Sequence, residues 1–476
     1  MDKDQMLAVH GEWVVTVVDD ELKVLHDHWV IIDADKIHSI KKQPPAGTIK
    51  HKIPKALVLP GLINSHNHGA SSVMFRGLTE DWAAESFETE LIYGLLMPLG
   101  DLALRTLNPE QMQHVVELAL LEIIKGGSTT LMEIFRPRQS GTFEAAANMG
   151  LRFYGAPYLF SADDMNVDES GTPTYQSRVH EESDLDIFHR LHAAYNGASD
   201  DRIRVAIGPH GLDSCSPELL RQVRSVADEL GVLINVHVCQ TRAEVDLLQQ
   251  RYGQTPTQYM ESVGLLGHDV LAAHCLHASD DDLRMLSESD TTIVNCPMTF
   301  ARGGVTAAFE RFRQAGARTV IGTDGYYMDI VSELRSAGLI SKLSAHDSGV
   351  GTAEQLLKAV TIDAAKALGR TDIGRLTPGA KADLVVISLD KPHFQPVSDP
   401  LKTYVWNARG AEIELMLVDG EILIRNGKFV RHNESGIIER GTTAIQIVWE
   451  AAAQAGIRHV PAAQATPGST SVAADT

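Results

Sequence analysis

The sequence predicts an α/β fold: a (β/α)8 barrel in the TIM-barrel layout, with a small β-sandwich formed from both termini. Three observations carry that expectation. Eight short β-type runs alternate with periodic helical stretches across residues 56–370. Strand-like segments with acidic turns flank that region on both sides. No Gly-rich dinucleotide or phosphate loop follows the first run, which argues against a doubly wound open sheet.

Residues 1–55 hold three short strand-like runs, 13–18, 29–32 and 37–40, separated by turns such as Asp19-Asp20 and Asp33-Ala-Asp35. Runs of the same character, 383–388 and 413–424, lie within 371–430. The two stretches are expected to form one composite sandwich around a continuous barrel domain, 56–370. The barrel runs are 56–63, 128–135, 151–160, 203–207, 232–238, 270–274, 292–296 and 319–322. Helices are expected between them, at 109–125, 217–230, 243–252, 280–287 and 307–315. Asn108-Pro109-Glu110 and Ser216-Pro217-Glu218 supply clear N-terminal signals.

Two connections are long. Residues 69–101 carry Phe75, Trp82, Phe87 and Tyr93, and follow the first barrel strand, where such loops build sites. Residues 162–183 are polar and read as a lid. Residues 431–476 are expected to hold one amphipathic helix, 437–455, and a disordered tail rich in Ala, Thr, Ser and Pro.

Composition narrows the partners. A net charge of −20 argues against nucleic acid and anionic membrane, leaving a small molecule. The four cysteines, Cys215, Cys239, Cys275 and Cys296, form no CxxC pair and read as buried thiols in a reducing compartment. No basic-plus-apolar leader opens the chain, and no apolar run is long enough to span a membrane. A cytoplasmic protein is expected.

Chemistry gathers at the carboxyl ends of the strands. His66 and His68 end the first run, and residues i and i+2 of a strand share a face. His210 follows the fourth run, His237 ends the fifth, His274 ends the sixth and Asp324 ends the eighth. In a barrel these ends converge on one pocket, and imidazoles with a carboxylate suit a divalent metal.

Longer motifs carry a resemblance. They are Pro60-Gly-Leu-Ile-Asn-Ser-His66-Asn-His68, Gly208-Pro-His210-Gly-Leu-Asp-Ser-Cys-Ser-Pro-Glu218, His237-Val-Cys-Gln-Thr-Arg-Ala-Glu244, Ala273-His274-Cys, Gly322-Thr-Asp324-Gly and Gly374-Arg-Leu-Thr-Pro-Gly-Ala-Lys-Ala-Asp-Leu384. Over almost its whole length the chain resembles the amidohydrolase superfamily, in the branch with cytosine, guanine and S-adenosylhomocysteine deaminases and triazine hydrolases. The resemblance implies one divalent metal held by His66, His68, His237 and Asp324. Asp324 would also move protons, and His274 would hydrogen-bond the water or the substrate. Zinc suits the ligand set, and iron, cobalt or manganese would fit too. A homo-oligomer is implied as well.

The chain departs from that branch in three places. Ring deaminases carry a glutamate three residues after the fifth-strand histidine, and here that residue is Gln240, which cannot shuttle a proton near neutral pH. The loop after Asp324 is short and aromatic, Gly325-Tyr-Tyr-Met-Asp-Ile330. The end of the seventh run, Asn295-Cys-Pro-Met-Thr-Phe-Ala-Arg302, has a bulky Phe300. Gln240, His210, Trp82, Phe300, Tyr326 and Tyr327 are therefore the expected substrate contacts, in an apolar, aromatic-lined pocket. The expected reaction is hydrolysis of an amide, urea or (thio)carbamate C–N bond in a partly hydrophobic molecule such as a phenylurea-type xenobiotic. The alternative is an aminohydrolase or chlorohydrolase of a triazine, pterin or purine ring, with another acid such as Glu133 or Asp213 replacing the missing glutamate. A third reading, a non-catalytic structural relative, is opposed by the complete ligand set.

Overall fold

The computed structural model describes residues 5–81, 90–161, 164–167, 173–176, 180–457 and 460. Trp82, Phe87 and the tail from 461 lie outside them. So do residues 162–163, 168–172 and 177–179 of the expected lid, whose described residues include two short paired strands, Asp164–Val167 and Pro173–Gln176.

Eight parallel strands form the barrel. Leu62–Asn67, Ser128–Phe135, Arg152–Leu159 and Ile203–Val205 lie side by side, and Gly208–Pro209 extends the fourth. Ile234–Val238, Val270–His274, Thr292–Asn295 and Thr319–Ile321 form the other half. Single bridges close the two seams: Ile207 to Ile234 and Gly211 to His237 on one side, Asn67 to Asp324 on the other. At that second seam Asp324 N donates to His66 O (2.9 Å) and His68 N donates to Asp324 O (3.1 Å). A Cβ on Gly322 would lie 2.7 Å from the His66 backbone, so glycine permits this approach. Ile63, Met132, Ile134, Tyr154, Leu271, Val294 and Val320 fill the interior as a packed core.

The termini build a nine-stranded sheet. Its order runs Lys428–Phe429, Glu421–Arg425, Ile413–Val418, Leu384–Ser388, Ala56–Pro60, Leu7–Val18, Glu21–Asp33 and Lys36–Lys41, with Ile49–Lys52 also on Leu7–Val18. It is one continuous sheet around Val9, Val14, Val30, Ile32, Val58, Leu384, Val386 and Leu417, where the sequence suggested two halves. The first expected barrel run is also divided. Ala56–Pro60 pairs with Leu384–Ser388 in the terminal sheet, and the barrel strand starts only at Leu62. Gly61 makes the junction, because a Cβ there would meet Thr129 Oγ1 at 2.3 Å and Asp383 Cβ at 2.8 Å.

The helices follow their signals. Pro109–Lys125 has a capping box between Asn108 and Gln111, and Pro217–Leu230 is capped by Ser216. The last helix, Glu434–Gln454, starts three residues before its expected position, capped by Asn433. It packs on Pro109–Lys125 with Gly441 against Leu118, and Trp449 Nε1 donates to Met74 O at 2.8 Å. All four cysteines are buried and free. Among the described residues no helix is long and apolar enough to cross a membrane.

One buried ion pair joins barrel and sheet. Arg152, at the start of the third barrel strand, meets Asp383 through Nε–Oδ2 (2.8 Å) and Nη2–Oδ1 (3.1 Å), and also reaches Asp419. Burial opposes the guanidinium charge, and the Asp383 carboxylate more than offsets it, raising the Arg152 pKa. The Gly374–Leu384 motif thereby has a physical role, since it delivers Asp383 to this pair. Arg152→Met should leave Asp383 buried and uncompensated, costing about 3–5 kcal/mol. Thermal or urea unfolding checks this, and a loss below about 0.5 kcal/mol, the scatter of ordinary surface substitutions, would contradict it.

Candidate active site

The carboxyl ends of the strands bring His66, His68, His237, His274 and Asp324 together. Ring centroids lie 4.8 Å apart for His66 and His68, 5.1 Å for His66 and His237, and 5.2 Å for His237 and His274. Asp324 Oδ1 is 3.3 Å from His68 Nε2 and 3.9 Å from His66 Nε2. Potential ligand atoms of His66, His237 and His274, and of His66, His68 and Asp324, fall within 4.8 Å of one another in each set.

Neighbouring acceptors fix the orientation of three rings. His66 Nδ1 faces Asn235 Oδ1 (3.2 Å) and His68 Nδ1 faces Ile134 O (3.2 Å). His237 Nδ1 faces His210 O. An oxygen acceptor at Nδ1 selects the tautomer protonated there and leaves the lone pair on Nε2. The Nε2 atoms of His68 and His237 then face each other at 3.3 Å, lone pair to lone pair. His66 Nε2 and both ring nitrogens of His274 are buried without a hydrogen-bond partner. Converging, unsatisfied nitrogen lone pairs are costly alone and favourable around a cation. The donor set fits a divalent metal.

Burial sets the protonation states. It holds His68 down to about 3 and His237 to about 4, and keeps His66, His210 and His274 well below the ordinary value. All five are neutral at neutral pH, the form that ligates. Burial pushes Asp324 up to about 7 against the bonds from Thr299 and Gly325. A cation beside it would restore the carboxylate. His274 (φ +78°) and Asp324 (φ +55°) both hold left-handed backbone, which costs on the order of 1–3 kcal/mol each and clusters at functional sites.

A cleft opens over these residues, with about 730 Å³ of empty space counting the solvent at its mouth. Its floor is polar: His68, His210, His237, Gln240 and Asp324. One wall is Phe75, Leu91, Ile92, Leu96 and Met97, and the other is Thr299, Phe300 and Tyr326. Of the expected substrate contacts, Gln240, His210, Phe300 and Tyr326 thus line the cavity. Tyr327 does not: it is about half exposed, and its hydroxyl faces Asp329 at 3.5 Å. Left-handed backbone at Tyr326 turns the chain, so adjacent aromatics face different ways. Trp82 is outside the described residues.

Neither acid suggested as a substitute for the missing glutamate lines the cavity. Glu133 accepts from Gly69 N (2.8 Å), and Asp213 accepts from Tyr93 Oη (2.6 Å). Among the described lining residues Asp324 is the only carboxylate.

Several contributors were missed in the sequence. Asn235, which orients His66, sits two residues before His237 on the same strand face, a readable signal. Tyr158, with Oη 3.1 Å from His68 Nδ1, and Arg136, in the cavity wall, follow from strand register that the sequence leaves open.

The chain belongs to the amidohydrolase family, whose model matches residues 57–423. It is 30% identical over 449 residues to a 5'-deoxyadenosine deaminase of Methanosarcina acetivorans, covering 92% of this chain and 98% of that protein. It is 30% identical over 398 residues to a 5-methylthioadenosine/S-adenosylhomocysteine deaminase of Pyrococcus furiosus, covering 82% and 88%. The atrazine chlorohydrolase of Arthrobacter aurescens, solved with zinc, superposes with a TM-score of 0.80 at 23% identity, over 92% of this chain and 100% of that one. The protein is a metal-dependent hydrolase acting on carbon–nitrogen bonds.

Purified protein loaded with a divalent metal should hold about one ion per chain, and His237→Ala should hold less than about a tenth of that. Chelation should lower the melting temperature of the parent, because the ion binds only the folded site. Elemental analysis and calorimetry check both, and a chelated parent that melts unchanged would contradict the site.

Proposed function

We propose that this chain is an aminohydrolase that displaces an amino group from a carbon of a nitrogen heterocycle, with 6-aminopurine nucleosides as the leading substrate class. The observation that carries this reading is the 30% identity to a 5'-deoxyadenosine deaminase over 449 residues, 92% of this chain. The sequence alone put ureas and carbamates first and ring substrates second; the relatives support the opposite order.

A divalent cation held by His66, His68, His237 and Asp324, with zinc the leading choice, would supply water acidified toward neutral pH. Asp324 takes the proton from the attacking water and passes it to the leaving nitrogen, so that water adds, the C–N bond breaks and ammonia departs. His274 donates a hydrogen bond to the attacking oxygen. Gln240 donates its amide N–H to a ring nitrogen without transferring a proton, a weaker assistance than a carboxylic acid would give. Ile92, Leu96, Phe300 and Tyr326 pack the remainder of the substrate.

One observation favours a second reading. Gln240 lines the cavity, where Asp324 is the only carboxylate among the described lining residues, and a urea or carbamate carbon needs no protonated ring atom. In that reading Gln240 donates to the substrate carbonyl.

A panel of 5'-deoxyadenosine, 5-methylthioadenosine and aminotriazines against aryl ureas and carbamates separates the two. Ring deamination at a kcat/KM at least about tenfold above every urea, a gap of about 1.4 kcal/mol, is expected. The reverse order would overturn the first reading in favour of the second. Asp324→Asn should leave less than about a tenth of kcat on either class, and Gln240→Ala should cost less than Asp324→Asn. Gln240→Glu should raise ring deamination selectively; an unchanged or lower ring activity would contradict the part assigned to this position.

A further inference from the structure

Glu244 is 3% exposed and belongs to none of the roles above. It is the third residue of the helix Arg242–Tyr252, whose N-cap is Thr241. A carboxylate there ordinarily returns to the amide of the N-cap. This one reaches further back. Its Oε1 accepts from Cys239 N (3.0 Å) and its Oε2 accepts from Gln240 N (2.7 Å). Those amides belong to the turn that leaves the fifth barrel strand, and Cys239 holds left-handed backbone there (φ +50°). The turn carries Gln240 from the strand end to the cavity floor. Burial and the charge of Asp213 both push the Glu244 carboxyl up, and Asp213 is itself anchored by Tyr93 Oη.

We propose that Glu244 is a positioning residue for substrate recognition: by holding the Cys239 and Gln240 amides with its two oxygens, it fixes the direction in which the Gln240 side chain meets the substrate. The proposal rests on the reading that Gln240 contacts substrate. It gives the His237-Val-Cys-Gln-Thr-Arg-Ala-Glu244 motif a physical logic, with the histidine at the metal, the glutamine at the substrate and the glutamate behind both. Separately, Tyr93 Oη donates to Asp213 (2.6 Å) and ties down residues Glu90–Leu96, the π-helical turn that contributes Leu91, Ile92 and Leu96 to the apolar wall.

The test compares the parent with Glu244→Gln, Glu244→Ala, Gln240→Ala and the Glu244→Ala/Gln240→Ala double variant, all metal-loaded. Glu244→Gln is nearly isosteric and keeps one acceptor, so it protects the test against misfolding of the alanine variant. Residue-resolved hydrogen exchange should show the Cys239 and Gln240 amides exchanging at least about tenfold faster in Glu244→Ala, and by a smaller factor in Glu244→Gln. Bound metal should stay at the parent level. On the better substrate of the panel, Glu244→Ala should lower kcat/KM as Gln240→Ala does, and the double variant should fall no more than about twofold below Gln240→Ala alone. Multiplicative losses in the double variant, unchanged exchange at both amides, or loss of metal in Glu244→Gln would overturn the proposal. If the parent turns over neither substrate class the functional reading fails, and the exchange measurement still decides whether Glu244 holds the turn.

Discussion

The closure of the barrel between its first and eighth strands is the constraint on which the site depends. The seam runs through the candidate metal residues themselves: the Asp324 amide bonds to the His66 carbonyl, and the His68 amide bonds to the Asp324 carbonyl. Backbone pairing therefore places two imidazoles and a carboxylate at one point before any ion arrives. Gly322 permits it, since any side chain there would strike the His66 backbone. The terminal sheet serves the same end. Gly61 lets the chain pass from that sheet into the first barrel strand, and the Arg152–Asp383 pair locks the sheet to the third. The His66 and His68 strand is thus anchored at its entry by one domain and at its exit by the seam.

Desolvation then gives the assembled residues their character. Buried imidazoles at this density stay neutral far below neutral pH, and their Nδ1 partners turn the remaining lone pairs toward one another. Without a positive charge this arrangement is repulsive. The same burial that makes the site costly makes it selective for a cation, and the left-handed backbone at His274 and Asp324 adds strain that only the surrounding framework can hold.

Much of this was legible in the sequence because it rests on period and position. Strand-end histidines, a His-x-His on one strand face and capped helices such as Pro109–Lys125 are local signals, and the structure assembles them as their spacing suggests. What the sequence hid depends on contacts between distant segments. The run at 56–63 reads as one strand, yet sterics at Gly61 assign its halves to different sheets. Tyr326 and Tyr327 read alike, yet backbone geometry sends one into the cavity and the other to Asp329. Glu244 falls in the first turn of its helix, and only the folded chain shows it reaching back to the turn that carries Gln240. Gln240 itself was readable as a departure, but its place beside Asp324 in the lining of one cavity was not.

In the proposed reading a neutral amide at Gln240 would leave a divalent cation and Asp324 to bear more of the chemistry, so that reading turns on one ion at one place. Anomalous diffraction at the zinc edge, from crystals of the zinc-loaded protein, tests that claim most directly. The account predicts a single strong peak enclosed by Nε2 of His66, His68 and His237 and the Asp324 carboxylate. No peak there, or two peaks of comparable height, would contradict it.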